Sequence, residues 1–538
     1  MSTFTISIDG RTVELEPGQT ILAGARRLGI DIPTLCYLEK CGPLNSCQVC
    51  LVKVGGPGPG RLVPSCGTKA VPGMVVESET TEVHEARRTA LELLFSDHVG
   101  DCLSPCNRLC PLGLNIAVMI RQLEAGRLNQ AIVTIREALP LPGVLGRLCH
   151  HPCEQGCRRG NWDDPAGIRD MERFVTDENF KEANPWVPIC AAPTGKSVAI
   201  VGAGPAGLAA AVSLARQGHA VTVVDRRARA GGSLRDVPEA TLSADVLDRE
   251  IAVLEKMGIA FKLGMALGPE LTIEGLLLGF AAVLLTVGEL AAGEGAGLGV
   301  ALTGAAIKAD PNTCRTSIPA VFAAGSAVKP AKQIVRAMAD GQAAAVCVHR
   351  FLLDKPVQRP EKPFSSIMGR LDPGELRKFL QTASSVGRVS PCDRCAGLSR
   401  REAVTEAARC LHCDCGSSGN CLLQHYAQAY GADASRFKSE RRSFEQFVQP
   451  GGIIFEPGKC IVCGICVRLT ELAREPLGLT FIGRGFDVRV ATPFNRTILA
   501  GLQQVAAECV EHCPTGALVF SDKLTAAPVD ASSPVPVA

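Results

Sequence analysis

The sequence predicts a multidomain chain of mixed α/β and α+β class, in which small cysteine-bearing modules flank one Rossmann-like dinucleotide-binding domain. Three observations carry this. The chain has 538 residues, which at about 150 residues per domain suggests three to four units, more where modules are small. Its 25 cysteines fall into clusters with short, repeated spacings. Amid them a single Gly202-x-Gly204-x-x-Gly207 turn follows a short apolar strand and opens a helix.

Cysteine at this density would mean a disulfide scaffold in a small secreted chain. Here the chain is long, and its opening, Met1–Ile8, alternates like a strand without a basic segment leading into an apolar run. No secretion signal is read, and a cytoplasmic setting is expected. In that reducing setting C-x2-C and C-x3-C spacings imply metal or iron–sulfur ligation. A net charge of +2 supplies no global field for nucleic acid or an anionic membrane. Aromatics at 4% offer no stacking platform for single strands. The most apolar stretch, Gly275–Gly288, has 14 residues. A spanning helix needs about 20, so a core strand or helix is expected there and no transmembrane segment.

Residues 1–80 form the first module. Phe4–Ile8, a turn at Asp9–Gly10 and Thr12–Leu15 predict a hairpin, and Thr20–Leu28 a helix. Cys36, Cys47, Cys50 and Cys66 follow, spaced C-x10-C-x2-C-x15-C. Cys41 mimics the first step of the plant-type C-x4-C-x2-C pattern, but Leu44 holds the next position. With Pro64–Ser65–Cys66 and Gly73–Val76, the module resembles the β-grasp [2Fe–2S] ferredoxin domain of NADH-dehydrogenase and hydrogenase iron–sulfur subunits. That resemblance implies ligation by Cys36, Cys47, Cys50 and Cys66, with Cys41 a bystander.

Residues 81–190 are expected to be a helical double-cluster domain. Glu82–Phe95 has a helical pattern with Ala86, Ala90, Leu93 and Leu94 toward one side. His98 follows, then Cys102, Cys106 and Cys110–Pro111 at steps of four, and Cys149, Cys153 and Cys157 repeat that step. With Leu139–Cys149 and Cys157–Gly160, this segment resembles the N-terminal domain of the glutamate synthase small subunit, shared with dihydropyrimidine dehydrogenase. The resemblance implies two [4Fe–4S] clusters with ligands exchanged between the two cysteine groups. Six cysteines fall short of eight ligands. His98 is a candidate for one, because His-x3-Cys also begins the His/Cys3 cluster of the hydrogenase-type subunits; a surface loop histidine is the alternative. An imidazole ligand removes a negative charge from a cluster and raises its potential.

Residues 191–355 carry the dinucleotide fingerprint. Lys196–Val201 reads as a strand, Gly202, Gly204, Pro205, Ala206 and Gly207 as the phosphate turn, Leu208–Gln217 as a helix, and Val221–Val224 as the next strand, ending in Asp225. The glycines admit backbone N–H groups to a pyrophosphate, and Asp225 is placed to take ribose hydroxyls. Gly231–Arg235, including Gly232, Leu234 and Arg235, and Leu247–Ile251 resemble the FAD domain of the glutamate synthase small subunit, and Val321–Gly325 its second flavin segment. That family has Asp after this glycine, where this chain has Ser326. It also carries an inserted NADPH domain. Here Val287–Gly288 is followed by only 32 residues before Val321, and one βαβ unit takes about 30. The Gly293–Gly299 stretch is read as a loop bridging that deletion, so FAD is expected and NAD(P)H binding is not.

Residues 356–445 comprise a Pro- and charge-rich linker, Lys355–Pro363, and a cysteine module. Ser399 and Glu402 predict a capping box for a helix running to Arg409. Cys410, Cys413, Cys415 and Cys421 follow as C-x2-C-x-C-x5-C, read as one [4Fe–4S] site. Cys392 and Cys395 could replace two of these ligands, and tetrathiolate zinc is the alternative. In residues 446–525, Cys460-x2-Cys463-x2-Cys466 and Cys513–Pro514 open and close a ferredoxin-like [4Fe–4S] domain. Thr470 stands where a second cluster would take its cysteine, and Cys509 is a remnant. Arg484–Phe486 adds a resemblance to the hydrogenase-type ferredoxin domain. The tail 526–538 is expected to be disordered.

The assignment uses eighteen cysteines and leaves Cys41, Cys190, Cys314, Cys347, Cys392, Cys395 and Cys509 over. It implies FAD, one [2Fe–2S] and about four [4Fe–4S] clusters. Together the resemblances imply an electron-transfer subunit of an oxidoreductase complex, passing electrons between flavin and clusters to a partner of hydrogenase, formate dehydrogenase or acyl-CoA reductase type. A free-standing NAD(P)H-dependent oxidoreductase is the alternative, and a scaffold stapled by metals is a third reading. No Ser/His/Asp set or carboxylate pair points to hydrolysis, and no catalytic residue is assigned.

Overall fold

The computed structural model describes residues 3–55, 60–268, 271–291, 294–393, 396–417, 419–449 and 452–521. Cys395 and the tail 526–538 lie outside them. The chain divides into two units, each assembled from separate stretches. One comprises Met1–Ser104, Pro363–Gln381 and Cys413–Ala538; the other comprises Pro105–Lys362 and Thr382–His412. The expected 81–190 domain is thus divided at Ser104, and the expected 356–445 module is shared between the units. Composition and motif follow the chain, whereas a core is closed by whichever distant stretch completes it.

In the first unit, a five-stranded mixed sheet runs in the order Arg11–Leu15, Phe4–Ile8, Val75–Glu77, Leu51–Val54, Arg61–Pro64. Alternation puts Ile6, Ile8, Val13 and Leu15 on the buried face, against helix Ile21–Arg27. Thr20 caps that helix by accepting the Ala23 N–H at 3.3 Å. Helix Thr81–Phe95 follows. Its inward face is Val83, Arg87, Ala90, Leu91 and Phe95, and Leu93 is 53% exposed, which corrects the apolar side read from the pattern. The reason is polar: Arg87 Nε donates to the Leu51 carbonyl at 2.9 Å and Nη1 to the Tyr430 hydroxyl at 2.7 Å. A three-stranded antiparallel sheet, Phe447–Val448, Ile453–Phe455 and Leu518–Phe520, and helix Ile465–Leu472 complete this unit's second core.

The second unit centres on a five-stranded sheet, all parallel, in the order Ala260–Leu263, Ala220–Asp225, Ser197–Val201, Ala282–Leu285, Val321–Ala323. Its strands are near-continuous apolar runs, as sheets covered on both faces require. Helices Pro205–Arg216 and Ile334–Leu352 pack so closely that a Cβ on Gly341 would meet the Ala206 carbonyl oxygen at 2.1 Å. The apolar stretch at 275–288 resolves into helix Ile273–Gly279 and the central strand Ala282–Leu285. Between that strand and Val321 the described residues form a 3-10 turn, Glu294–Leu298, and a hairpin, Leu302–Thr303 with Ala306–Ile307. The helical part holds Ile116–Glu124, Leu128–Ala138, Pro142–Leu148 and Ile168–Lys181. Its link to the sheet domain is a buried ion pair, Arg136 to Glu250 at 2.9 Å. Helix Arg400–Ala407 starts with the Ser399/Glu402 capping box.

Candidate functional site

The first unit gathers three groups of cysteine side chains, one of them with a histidine, of a kind suited to ligation. Cys36, Cys47, Cys50 and Cys66 are buried beside strands Leu51–Val54 and Arg61–Pro64. The Sγ atoms of Cys50 and Cys66 lie 3.3 Å apart. Hydrogen bonds from Cys47 and Cys66 hold Cys36 far below the usual thiol range, and a hydrogen bond from Cys66 brings Cys50 down to about 7. The ligand loop needs left-handed backbone at Asn45 and Gln48, both with φ of 56°. Cys41 stands apart: burial raises its thiol, and its charged neighbours are Lys40 and Arg468.

Cys460, Cys463, Cys466 and Cys513 line a second, apolar cavity roofed by Leu479, Val490 and Ile498. Gly464, at φ +87°, lets the loop turn into helix Ile465–Leu472 between ligands. Thr470 is buried, donates to the Val467 carbonyl at 2.8 Å and accepts the Leu479 N–H at 3.0 Å, so it fills structural space. This site adjoins the first: Ser46 Oγ donates to the Cys463 carbonyl at 3.2 Å, and Cys36 is among the charges acting on Cys463.

The third group differs from the spacing-based reading. Cys415 and Cys421 face Cys102 rather than closing a site with Cys410 and Cys413 alone. The Cys415 N–H donates to the Cys102 carbonyl at 3.4 Å, and Cys102 and Cys415 are among the charges that raise Cys421. Two cysteine-bearing stretches over 300 residues apart in the sequence thereby meet. Cys102 Sγ lies 3.3 Å from Ser366 Oγ. His98 is buried nearby, its Nδ1 without a hydrogen-bond partner. Burial, aided by the Lys459 cation, pushes it down to about 3, which leaves a neutral imidazole suited to ligation. Lys459 is itself buried and kept protonated against that burial by Cys415 and Glu456. Cys513 also acts on Cys421, so the second and third groups are neighbours.

In the second unit Cys106, Cys110, Cys149, Cys153, Cys157 and Cys410 belong to one extended core, as do Cys190, Cys314 and Cys347, and Cys106 and Cys110 are among the charges acting on Cys153. The steps of four place Cys106 in helix Pro105–Leu109 and Cys153 in helix Pro152–Gln155. Glu172, on helix Ile168–Lys181, is buried, and its Oε1 has no hydrogen-bond partner. Burial pushes it up to about 8. Its charge acts on Cys110, Cys149 and Cys153 together. Sequence reading missed this donor because one glutamate in a helix carries no spacing signal. Cys413 is half-buried and Cys392 exposed. Among the described residues no three His, Cys, Asp or Glu side chains converge as one metal ion requires.

The dinucleotide turn has a built cradle. A Cβ on Gly202 would meet the Thr286 carbonyl oxygen at 2.3 Å, and one on Gly207 the Gly202 oxygen at 1.9 Å, whereas Gly204 faces open space. Pro205 and Ala206 open the helix whose free N–H groups point to that space. Asp225 Oδ2 accepts the Ala203 N–H at 2.6 Å and Oδ1 the Arg227 N–H at 2.7 Å. The acid thus holds the loop, with a second lone pair on each oxygen. Gly232 packs on Gly204, Leu234 is buried, and Arg235 pairs with Asp248 at 2.5 Å, so this stretch buttresses the turn. At the second segment, Gly325 at φ +69° approaches Ala206. The Ser326 hydroxyl accepts the Ala331 N–H at 3.4 Å. Asp340, from helix Ile334–Leu352, accepts the Gly325 N–H at 2.5 Å and pairs with Arg359 at 2.7 Å. An acid therefore does stand at this site, delivered by another element.

The donor sets fit iron–sulfur clusters: buried thiols outside any disulfide, an unpartnered imidazole nitrogen and an unpartnered carboxyl oxygen. The open face over Gly204 fits a pyrophosphate. Comparisons with known proteins agree segment by segment. Residues 2–81 match the family model of a 2Fe-2S iron–sulfur cluster binding domain. Residues 77–184 match dihydropyrimidine dehydrogenase domain II, 4Fe-4S cluster, and residues 200–258 an NAD(P)-binding Rossmann-like domain. The NADP(+)-dependent formate dehydrogenase subunit beta of Moorella thermoacetica is 34% identical over 287 residues, 48% of this chain and 40% of that protein. The NAD-dependent dihydropyrimidine dehydrogenase subunit PreT of Escherichia coli K12 is 39% identical over 210 residues, 38% of this chain and 50% of that protein. The glutamate synthase [NADPH] small chain of Mycobacterium tuberculosis H37Rv is 39% identical over 195 residues, 36% of this chain and 40% of that protein. The chain thus spans half or less of the length of these relatives. An NAD+-reducing [NiFe]-hydrogenase structure aligns over 96% of this chain at 14% identity and a TM-score of 0.34, a likeness too slight to show a shared fold. In chain order, this protein carries a 2Fe-2S domain, a 4Fe-4S domain and a Rossmann-like dinucleotide domain, and its relatives are oxidoreductase components.

Proposed function

We propose that the chain is the FAD- and iron–sulfur-containing electron-transfer subunit of a multisubunit oxidoreductase. The observation that carries this reading is the adjacency of three ligand groups in one unit, from Cys36 past Cys463 to Cys513 and Cys421. Cys36, Cys47, Cys50 and Cys66 would hold the [2Fe–2S] cluster of a β-grasp ferredoxin domain. Cys460, Cys463, Cys466 and Cys513 would hold one [4Fe–4S] cluster, and His98, Cys102, Cys415 and Cys421 another. In the second unit, Cys110, Cys149, Cys153 and Glu172 would hold a third. Cys106, Cys157 and Cys410 would supply three of the donors of a fourth there. The glycine turn at Gly202–Gly207, with Asp225 toward the ribose, would hold FAD. Bound flavin supplies the exchange between electron pairs and single electrons.

What the chain's own residues do is space these groups, exclude water from them and set their charge. Lys459 puts a buried cation beside Cys102 and Cys415, which favours the reduced form of whatever they bind. The partner would be a catalytic subunit of hydrogenase, formate dehydrogenase or acyl-CoA reductase type. The test is composition under anaerobic purification. One FAD and about 18 iron atoms per chain are expected, by adding one [2Fe–2S] to four [4Fe–4S] clusters. Stoichiometric zinc with few iron atoms in a folded sample would overturn the reading.

A further inference from the structure

The hairpin Thr480–Ile482 with Arg489–Ala491 walls the cavity of Cys460, Cys463, Cys466 and Cys513, which Val490 lines from within. Phe481 lies beside that cavity and reaches solvent. A Cβ on Gly464, between two of the cysteines, would meet the Phe481 ring at 3.4 Å, yet Phe481 is 45% exposed. Beyond the hairpin, Phe494 is 85% exposed and sits at φ +60°, a left-handed conformation uncommon for a bulky residue. Such strain persists where the surroundings impose it and concentrates at functional surfaces.

The hairpin and the residues that follow it are basic. Arg484, Arg489 and Arg496 are exposed, and none has an ion-pair partner among the described residues. Across residues 480–496 the single acid is Asp487. Exposed aromatics and arginines without ion-pair partners within one short stretch have the composition of binding hot spots. Because the chain's net charge is only +2, this is a local field rather than a general one.

We propose that this hairpin and the segment after it dock an acidic redox protein, one with carboxylates around its own redox centre, and that single electrons cross there between that centre and the Cys460–Cys513 site. The proposal rests on the electron-transfer reading above. In each transfer one electron leaves the reduced chain and the partner's centre gains it; no bond is made or broken.

The probe is an acidic flavodoxin, mixed anaerobically with the full chain previously reduced by dithionite. Electrostatic steering raises association rates by 10- to 1,000-fold and is screened beyond about 3 Å at 1 M salt. The flavodoxin reduction rate should therefore fall at least about tenfold between low and high salt. The triple variant Arg484→Glu/Arg489→Glu/Arg496→Glu should lose about tenfold at low salt and react faster than the parent with a basic c-type cytochrome. Its oxidation by a neutral quinone should match the parent's, which shows the interior intact. A parental flavodoxin rate in the triple variant, or a salt-independent rate in the parent, would overturn the docking proposal alone. A chain that dithionite does not reduce would overturn the electron-transfer reading and this proposal with it.

Discussion

Glu172 is buried with its Oε1 unpartnered; Arg169 acts on it from nearby, and its own charge acts on three thiols, Cys110, Cys149 and Cys153. Unpaired buried carboxyls are costly, so such a group is retained where something binds it. Glu172→Ala should remove about four iron atoms per chain, the content of one cubane, while Glu172→Cys should keep them. Iron analysis and electron paramagnetic resonance of both variants check this, with circular dichroism confirming the fold. Equal iron in the alanine variant would leave Glu172 a buried acid without a ligand role. At this scale the legible ligands were those whose chemistry is written locally, as in Cys460-x2-Cys463-x2-Cys466. The meeting of Cys102 with Cys415 was not legible, because spacing along the chain says nothing of a partner arriving from over 300 residues away. Asp340 is the same case: the acid missing after Gly325 is restored from a different helix.

The helix Pro373–Leu380 shows how one element is fixed by charge. Asp372 caps it with a full capping box. Glu375 accepts the Arg441 Nη2–H at 2.7 Å, the Phe444 N–H at 2.7 Å and the Asp372 N–H at 3.0 Å. The hydrogen bond from Arg441, with those backbone N–H groups, holds its carboxyl down to about 2. A carboxylate depressed on folding stabilises the fold above its unfolded value near 4.3, and that stability is lost as pH falls toward the folded value. Glu375→Gln should cost about 2 kcal/mol at neutral pH, a figure lowered for the part-exposed Arg441. The gap to the parent should close between about pH 5 and 2. Urea denaturation across that range measures it, and a constant gap would exclude the ionic origin. The existence of most elements was readable from pattern and caps, as at Thr20 and Ser399. The buried side of Thr81–Phe95 was not, because Arg87 and Glu92 find partners at Tyr430 and Arg436 that no periodicity reveals.

For the whole molecule, the telling region lies between strands Ala282–Leu285 and Val321–Ala323, parallel neighbours in one sheet. The described residues between them form a turn and a two-rung hairpin, whereas a nucleotide-binding βαβ unit needs about 30 residues of strand, turn and helix. With the Gly202–Gly207 cradle given to FAD as proposed, the isolated chain should show negligible flavin bleaching on anaerobic stopped-flow mixing with NADH or NADPH, while dithionite should reduce it. Rapid bleaching by either nucleotide would restore the free-standing dehydrogenase. The interleaving of the two units also has a consequence for biosynthesis. His98 and Cys102 leave the ribosome about 310 residues before Cys415, a wait of roughly 15 to 60 seconds at 5–20 residues per second. During that interval the sheet domain can fold, while the early donors stand half-equipped and open to oxidation or to the wrong metal. A cluster held as proposed by His98, Cys102, Cys415 and Cys421 would therefore have to be inserted only after Cys421 has been made.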